Sequence, residues 1–204
     1  MSIVPGRLAG SLRGGLAPVA RRLQRLGVRA NTVTVLGFFL TVVGAVLLAT
    51  AQPAPALVVL LLGTLCDTLD GQLARAAGGG TRFGAFLDST LDRLSDAALA
   101  IAAVQLGATL PDPVLYGDGL VLLVASFLVS YIRAKAESLG ERANVGVAPR
   151  EARIALYLIG VAAWAVTGFT FLFAAAVVVA AFLATLTVIQ RIAHLANALN
   201  EKKG

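Results

Sequence analysis

Residues 154–189 read IALYLIGVAAWAVTGFTFLFAAAVVVAAFLATLTVI, 36 consecutive positions without a charged side chain. A bilayer's hydrocarbon core is about 30 Å thick and is crossed by about 20 apolar helical residues. The run is therefore too long for one span, and Thr167-Gly168 near its middle predicts two helices joined by a tight hairpin. Further apolar runs recur upstream, with turns at Gln52-Pro53 and Pro111-Asp112-Pro113. Together they predict an all-α membrane protein with six transmembrane helices, over 32–51, 54–75, 83–106, 113–139, 151–167 and 169–195. Composition agrees: the 204 residues are 58% hydrophobic and 14% charged. A soluble domain carries about 25% charged residues, so a soluble enzyme or a disordered tail is excluded.

The first 30 residues differ in pattern. Leu8, Leu12, Leu16, Val19, Leu23 and Leu26 recur at helical spacing, with Arg7, Arg13, Arg21, Arg22 and Arg25 mostly between them. This predicts an N-terminal amphipathic interfacial helix over 1–30, its arginines towards anionic headgroups, ahead of a 31–204 bundle in a single 1–204 domain. All 17 Lys and Arg lie before the first span, at alternate junctions or at the end of the chain, and none in the turns near 52, 111 and 168. The positive-inside rule then places both termini, and the acidic end of spans two and three, on the cytoplasmic side of the cell membrane. Topology accounts for the net charge of +6 without invoking nucleic acid. The single Cys66 excludes an internal disulfide and a cysteine-based metal cluster.

Carboxylates inside a membrane are costly and mark function. Asp67 and Asp70 end span two; Asp88, Asp92 and Asp96 begin span three. Asp67/Asp70 and Asp88/Asp92 are spaced i,i+3 and i,i+4, so each pair shares a helix face. The short Gly78-Gly79-Gly80 turn lets the two faces meet. Four carboxylates in a low dielectric require cations between them, and oxygen-only ligands suit Mg²⁺ or Mn²⁺. Asp96 reads as a structural partner deeper in the bundle.

The pattern Asp67-x-x-Asp70-Gly71-x-x-Ala74-Arg75, eight residues, Gly84-x-x-x-Asp88-x-x-x-Asp92 resembles the signature of the CDP-alcohol phosphotransferase family. The resemblance implies displacement of CMP from a CDP-linked lipid by an alcohol, with two metal ions. It implies that Asp67, Asp70, Asp88 and Asp92 are metal ligands, and that Asp92 is also the general base for the acceptor hydroxyl. Gly71, Arg75 and Thr81 would contact the CDP-lipid, while Gly84 either borders that site or serves helix packing. Asn31-Thr32-Val33-Thr34 resembles the family's nucleotide-bordering segment at the start of span one; Asn31 equally suits an N-cap. The family is also expected to be homodimeric.

Acceptor choice must come from the second half. Arg153 and Arg191 fall within or beside apolar stretches, where a cation needs an anionic partner or an exit to the interface. With Lys135 they read as an anion pocket for an acceptor carrying its own phosphate; snorkelling to headgroups is the alternative. The runs Gly79–Ala85, Ser130–Glu137 and Pro149–Arg153 are similar to the actinobacterial phosphatidylinositol phosphate synthase subfamily. That resemblance implies CDP-diacylglycerol and inositol phosphate as substrates, and phosphatidylinositol phosphate and CMP as products. Glycerol 3-phosphate, the acceptor of phosphatidylglycerophosphate synthases, is the nearest alternative. A cation transporter using the aspartates is the alternative of a different class; their place near the membrane edge and the lack of an inverted repeat argue against it.

Overall fold

The computed structural model describes residues 18–201, so Leu8, Leu12, Leu16, Arg7 and Arg13 of the expected amphipathic helix lie outside it. The described residues form helices and no strand: α1 (residues 18–25), α2 (Ala30–Ala49), α3 (Pro53–Ala76), α4 (Arg82–Thr109), α5 (Pro113–Ser138), α6 (Arg150–Thr167) and α7 (Thr170–Glu201). Prolines open α3 and α5, where a missing N–H costs nothing. Asp112 caps α5 by accepting from the amides of Val114 and Leu115, both at 3.0 Å. Gly168, at φ 77°, ends α6 in the left-handed conformation, so the predicted break in the long apolar run stands.

Asn31 is not an N-cap. The Arg29 carbonyl already accepts from the Thr32 and Val33 amides, so α2 starts at Ala30 and Asn31 lies inside its first turn. Four helices, α2, α3, α5 and α7, are long and apolar enough to cross a membrane. Helices α4 and α6 occupy the other two expected spans but carry charge: Asp88, Asp92, Arg93 and Asp96 on α4, Arg150, Glu151 and Arg153 on α6.

The chain divides into two compact units, the first ending at Leu99 and the second running from Ala100 onwards. In the first, Ala20, Val33, Leu69 and Leu73 form a buried cluster flanked by Leu23, Val28, Ala30 and Cys66. Helix α1 thus turns Ala20 and Leu23 inwards, whereas Val19 and Leu26 of the expected apolar stripe are exposed. Small residues let α2 and α3 approach: a Cβ on Gly37 would stand 2.9 Å from Cys66 Cβ, and one on Gly63 2.8 Å from Thr41 Oγ1. In the second unit Gly107 packs against the Tyr116 backbone and Gly160 against Ala176. Tyr157 and Trp164 close on Phe173 with ring centroids 5.1 Å and 6.1 Å away, within the range of favourable aromatic contact.

Candidate active site

The first unit brings three of the aspartates together. Asp67 and Asp70 lie one turn apart on α3, and Asp88 enters on α4 after a turn in which Gly78 and Gly79 adopt φ values of +92° and +121°. Only glycine takes those values without strain, so the Gly-rich stretch is what allows the reversal. One carboxylate oxygen from each of Asp67, Asp70 and Asp88 lies within 4.8 Å of the others. Asp70 is buried, and its Oδ2 has no hydrogen-bond partner. A buried carboxylate oxygen without a donor is costly, and a divalent cation among three carboxylates offsets that cost. The donor set therefore fits a hard, oxygen-ligated ion. Asp92 stands one turn beyond Asp88 and is not part of this group of three.

Asp70 and Asp88 border a cavity of about 440 Å³. From the expected nucleotide set, Asn31, Thr34, Gly71 and Thr81 line it, together with Gly84. Thr81 Oγ1 accepts from the Gly84 amide at 2.9 Å, which fixes the start of α4 against the cavity. Val33 is instead in the buried cluster, and Thr32 is exposed; neither lines the cavity. Arg75 is exposed, with its guanidinium beside Gly71: Nη1 lies 3.6 Å from where a Cβ on that glycine would stand. Gly71 thus lines the cavity with the arginine beside it, at a distance where a Cβ would meet the guanidinium in ordinary contact.

Among the cavity residues that sequence reading missed are Gln24, Gly27 and Arg29. They sit in a stretch whose alternating arginines and leucines read as membrane-facing. Gln24 Nε2 donates to the Ala76 carbonyl at 3.0 Å, tying α1 to the end of α3. Gly27, at φ +79°, turns the chain between α1 and α2; a glycine after a helical pattern was the available signal.

The three expected anion-binding cations belong to the second unit. Arg153 and Arg191 are 4% and 8% exposed, an unusual depth for guanidinium groups, whereas Lys135 is exposed. Arg153 Nη1 donates to the Ala148 carbonyl at 3.0 Å. Arg191 donates through Nε to the Val145 carbonyl at 3.0 Å and through Nη1 to that of Val129. Arg133 and Arg153 are close enough to act electrostatically on Arg191, so three positive charges gather here. Arg133 also pairs with Glu137 at 3.0 Å on the exposed face of α5. Carbonyls orient the two buried arginines, which argues against simple snorkelling of these two.

Helices long and apolar enough to cross a membrane, three carboxylates grouped as a divalent cation requires and an adjoining cavity together fit the class of metal-dependent membrane enzymes. The chain belongs to the CDP-alcohol phosphatidyltransferase family, which it matches over residues 28–189. It is 41% identical over 145 residues to a phosphatidylinositol phosphate synthase of Mycolicibacterium smegmatis, a match covering 70% of this chain and 65% of that protein's length. It is 36% identical over 192 residues to an archaetidylinositol phosphate synthase of Methanothermobacter thermautotrophicus, covering 91% and 94% of the two chains. Its fold is similar to crystal structures of the Mycobacterium tuberculosis phosphatidylinositol phosphate synthase. With CDP-DAG bound, that structure is 34% identical, with a TM-score of 0.79 and coverage of 88% and 92%. In complex with manganese and citrate it is 33% identical, with a TM-score of 0.81 and coverage of 88% of both chains.

Proposed function

We propose that this protein transfers the phosphatidyl group of CDP-diacylglycerol to inositol phosphate, giving phosphatidylinositol phosphate and CMP. The convergence of Asp67, Asp70 and Asp88 beside the Asn31–Thr34–Gly71–Thr81 cavity is the observation that carries the reading. The phosphatidylinositol phosphate and archaetidylinositol phosphate synthases among its relatives, and the CDP-DAG and manganese named for the structures of the Mycobacterium tuberculosis enzyme, support it.

In this reading Asp67, Asp70, Asp88 and Asp92 hold two divalent cations, Mg²⁺ or Mn²⁺. Bound there, the cations neutralise the pyrophosphate and stabilise charge on the departing CMP. Gly71, Thr81, Asn31 and Thr34 receive the nucleotide, and Arg75 reaches its phosphates through a forked set of donors. The acceptor hydroxyl oxygen bonds to the β-phosphorus as the bond to the CMP oxygen breaks, and its proton passes to Asp92. Lys135, Arg153 and Arg191 hold the acceptor's own phosphate. Thr32, which is exposed, and Val33, which packs in the buried cluster, stand outside this contact set.

Helices α4 and α6 complete a six-span, single-domain bundle with the interfacial segment ahead of it, both termini and the site cytoplasmic, and the enzyme homodimeric. The placement of Lys and Arg at alternate junctions supports the orientation. An acceptor panel tests the assignment: purified protein, CDP-diacylglycerol and Mg²⁺ or Mn²⁺ receive inositol phosphate, free inositol, glycerol 3-phosphate or serine, and CMP is measured. Inositol phosphate should give the fastest release. Preference for glycerol 3-phosphate would make it a phosphatidylglycerophosphate synthase, and no CMP with any acceptor would return the cation-transporter reading.

A further inference from the structure

Side chains of α7 hold the segment between α5 and α6 by its backbone. Thr187 Oγ1 accepts from the Ala148 amide and Gln190 Oε1 from the Val147 amide, both at 3.1 Å. Arg191 Nε donates to the Val145 carbonyl at 3.0 Å, and His194 Nε2 lies 3.1 Å from that of Arg142. Positions 187, 190, 191 and 194 fall on one face of a helix, so α7 presents a single polar stripe to the segment. Gly146 permits the close approach: its φ is +131°, and a Cβ there would stand 2.3 Å from Thr187 Cγ2. Thr187 is fully buried and donates to the Leu183 carbonyl at 2.8 Å, which fixes the direction of the lone pair offered to Ala148.

Two buried guanidinium groups, one on the same face of α7 and one on α6, meet the same four residues of backbone. The carbonyls of Val145 and Ala148 accept from Arg191 and Arg153. The amides of Val147 and Ala148 are thus anchored to α7, and carbonyls on either side of those amides set the orientation of two buried guanidinium groups. A planar guanidinium binds phosphate through a directional fork, so a carbonyl that shifts takes the fork with it.

We propose that Thr187 and Gln190 are positioning residues for the acceptor's phosphate: they fix the Val145–Ala148 backbone that aims Arg153 and Arg191. The inference rests on the acceptor-phosphate reading given above. The test uses the full-length protein in nanodiscs, with Thr187→Val, Thr187→Ser and Gln190→Met. KM for inositol phosphate, KM for CDP-diacylglycerol, kcat and Tm are measured for each. Thr187→Val removes the bond to the Ala148 amide, and Gln190→Met the bond to the Val147 amide; each should raise the inositol phosphate KM about tenfold. The CDP-diacylglycerol KM should stay put, and Thr187→Ser, which keeps the hydroxyl, should restore the acceptor KM. Gln190 is only partly buried, so Gln190→Met carries the test if Thr187→Val does not fold. An unchanged acceptor KM in the folded variants, or both KM values rising in step with a loss of Tm, would overturn the proposal and leave the function intact. A wild type that releases no CMP with inositol phosphate would instead overturn the function, and this inference with it.

Discussion

Asn31 and Gly84 meet at the cavity wall: a Cβ on Gly84 would stand 3.0 Å from Asn31 Oδ1 and 3.1 Å from Thr81 Oγ1. The absence of that carbon is what lets α4 begin beside α2 with both polar side chains on the cavity. Gly84→Ala should therefore push Asn31 and Thr81 off their positions. Overpacking costs about 1–3 kcal/mol, so the CDP-diacylglycerol KM should rise about tenfold or more, with the acceptor KM little changed. Steady-state kinetics with each substrate varied in turn checks this.

Asp70→Asn separates the cation site from the fold. The buried, unpartnered Oδ2 is a liability without a cation, so an uncharged amide there should raise Tm in chelator. The same variant should lose the stabilisation that Mg²⁺ or Mn²⁺ confers on the wild type, about 2.7 kcal/mol at a hundredfold excess over Kd. Thermal unfolding with and without the cation reads both effects.

Asp92→Asn retains size and loses the proton acceptor. Turnover should fall at least about 10²-fold, the lower range of general-base contributions, while CDP-diacylglycerol binding survives. Direct binding alongside single-turnover CMP release distinguishes a base from a residue that serves only as a ligand, for which binding would fall too.

Lys135→Ala is the cleanest probe of the anion site, because Lys135 is exposed while Arg153 and Arg191 also bond backbone carbonyls. Its loss should raise the inositol phosphate KM about tenfold, as expected for a charge-assisted contact, without moving Tm. Arg191→Ala should raise the same KM and lower Tm as well. Arg142→Ala, at an exposed position, should do neither.

Gly107→Ala tests packing at a position that does not line the cavity. A Cβ there would lie 2.4 Å from the Tyr116 amide nitrogen, a contact that only backbone movement relieves. We expect a loss of about 3 kcal/mol, the upper end of overpacking costs, seen as a lower Tm with both KM values unchanged in the surviving enzyme.

The amino-acid sequence by itself determined the membrane class, the helical breaks and the aspartate pairs. Those features are local: an apolar run long enough for a bilayer, a glycine at the left-handed end of α6, and carboxylates repeating with the helical period declare themselves over a few turns. The tertiary structure decided what depends on contacts across the chain. Asn31 became an inner residue of α2 because the Arg29 carbonyl took the first helical bond. Val33 was drawn into the cluster with Ala20, Leu69 and Leu73, away from the cavity its sequence neighbours line. Gln24 reached the end of α3 from 52 positions away. The grip of Thr187 and Gln190 on Val147 and Ala148 spans about forty residues of sequence. No periodicity signals such a bond, because a side chain that recognises a distant backbone amide leaves no pattern in its own neighbourhood; only packing brings the two together.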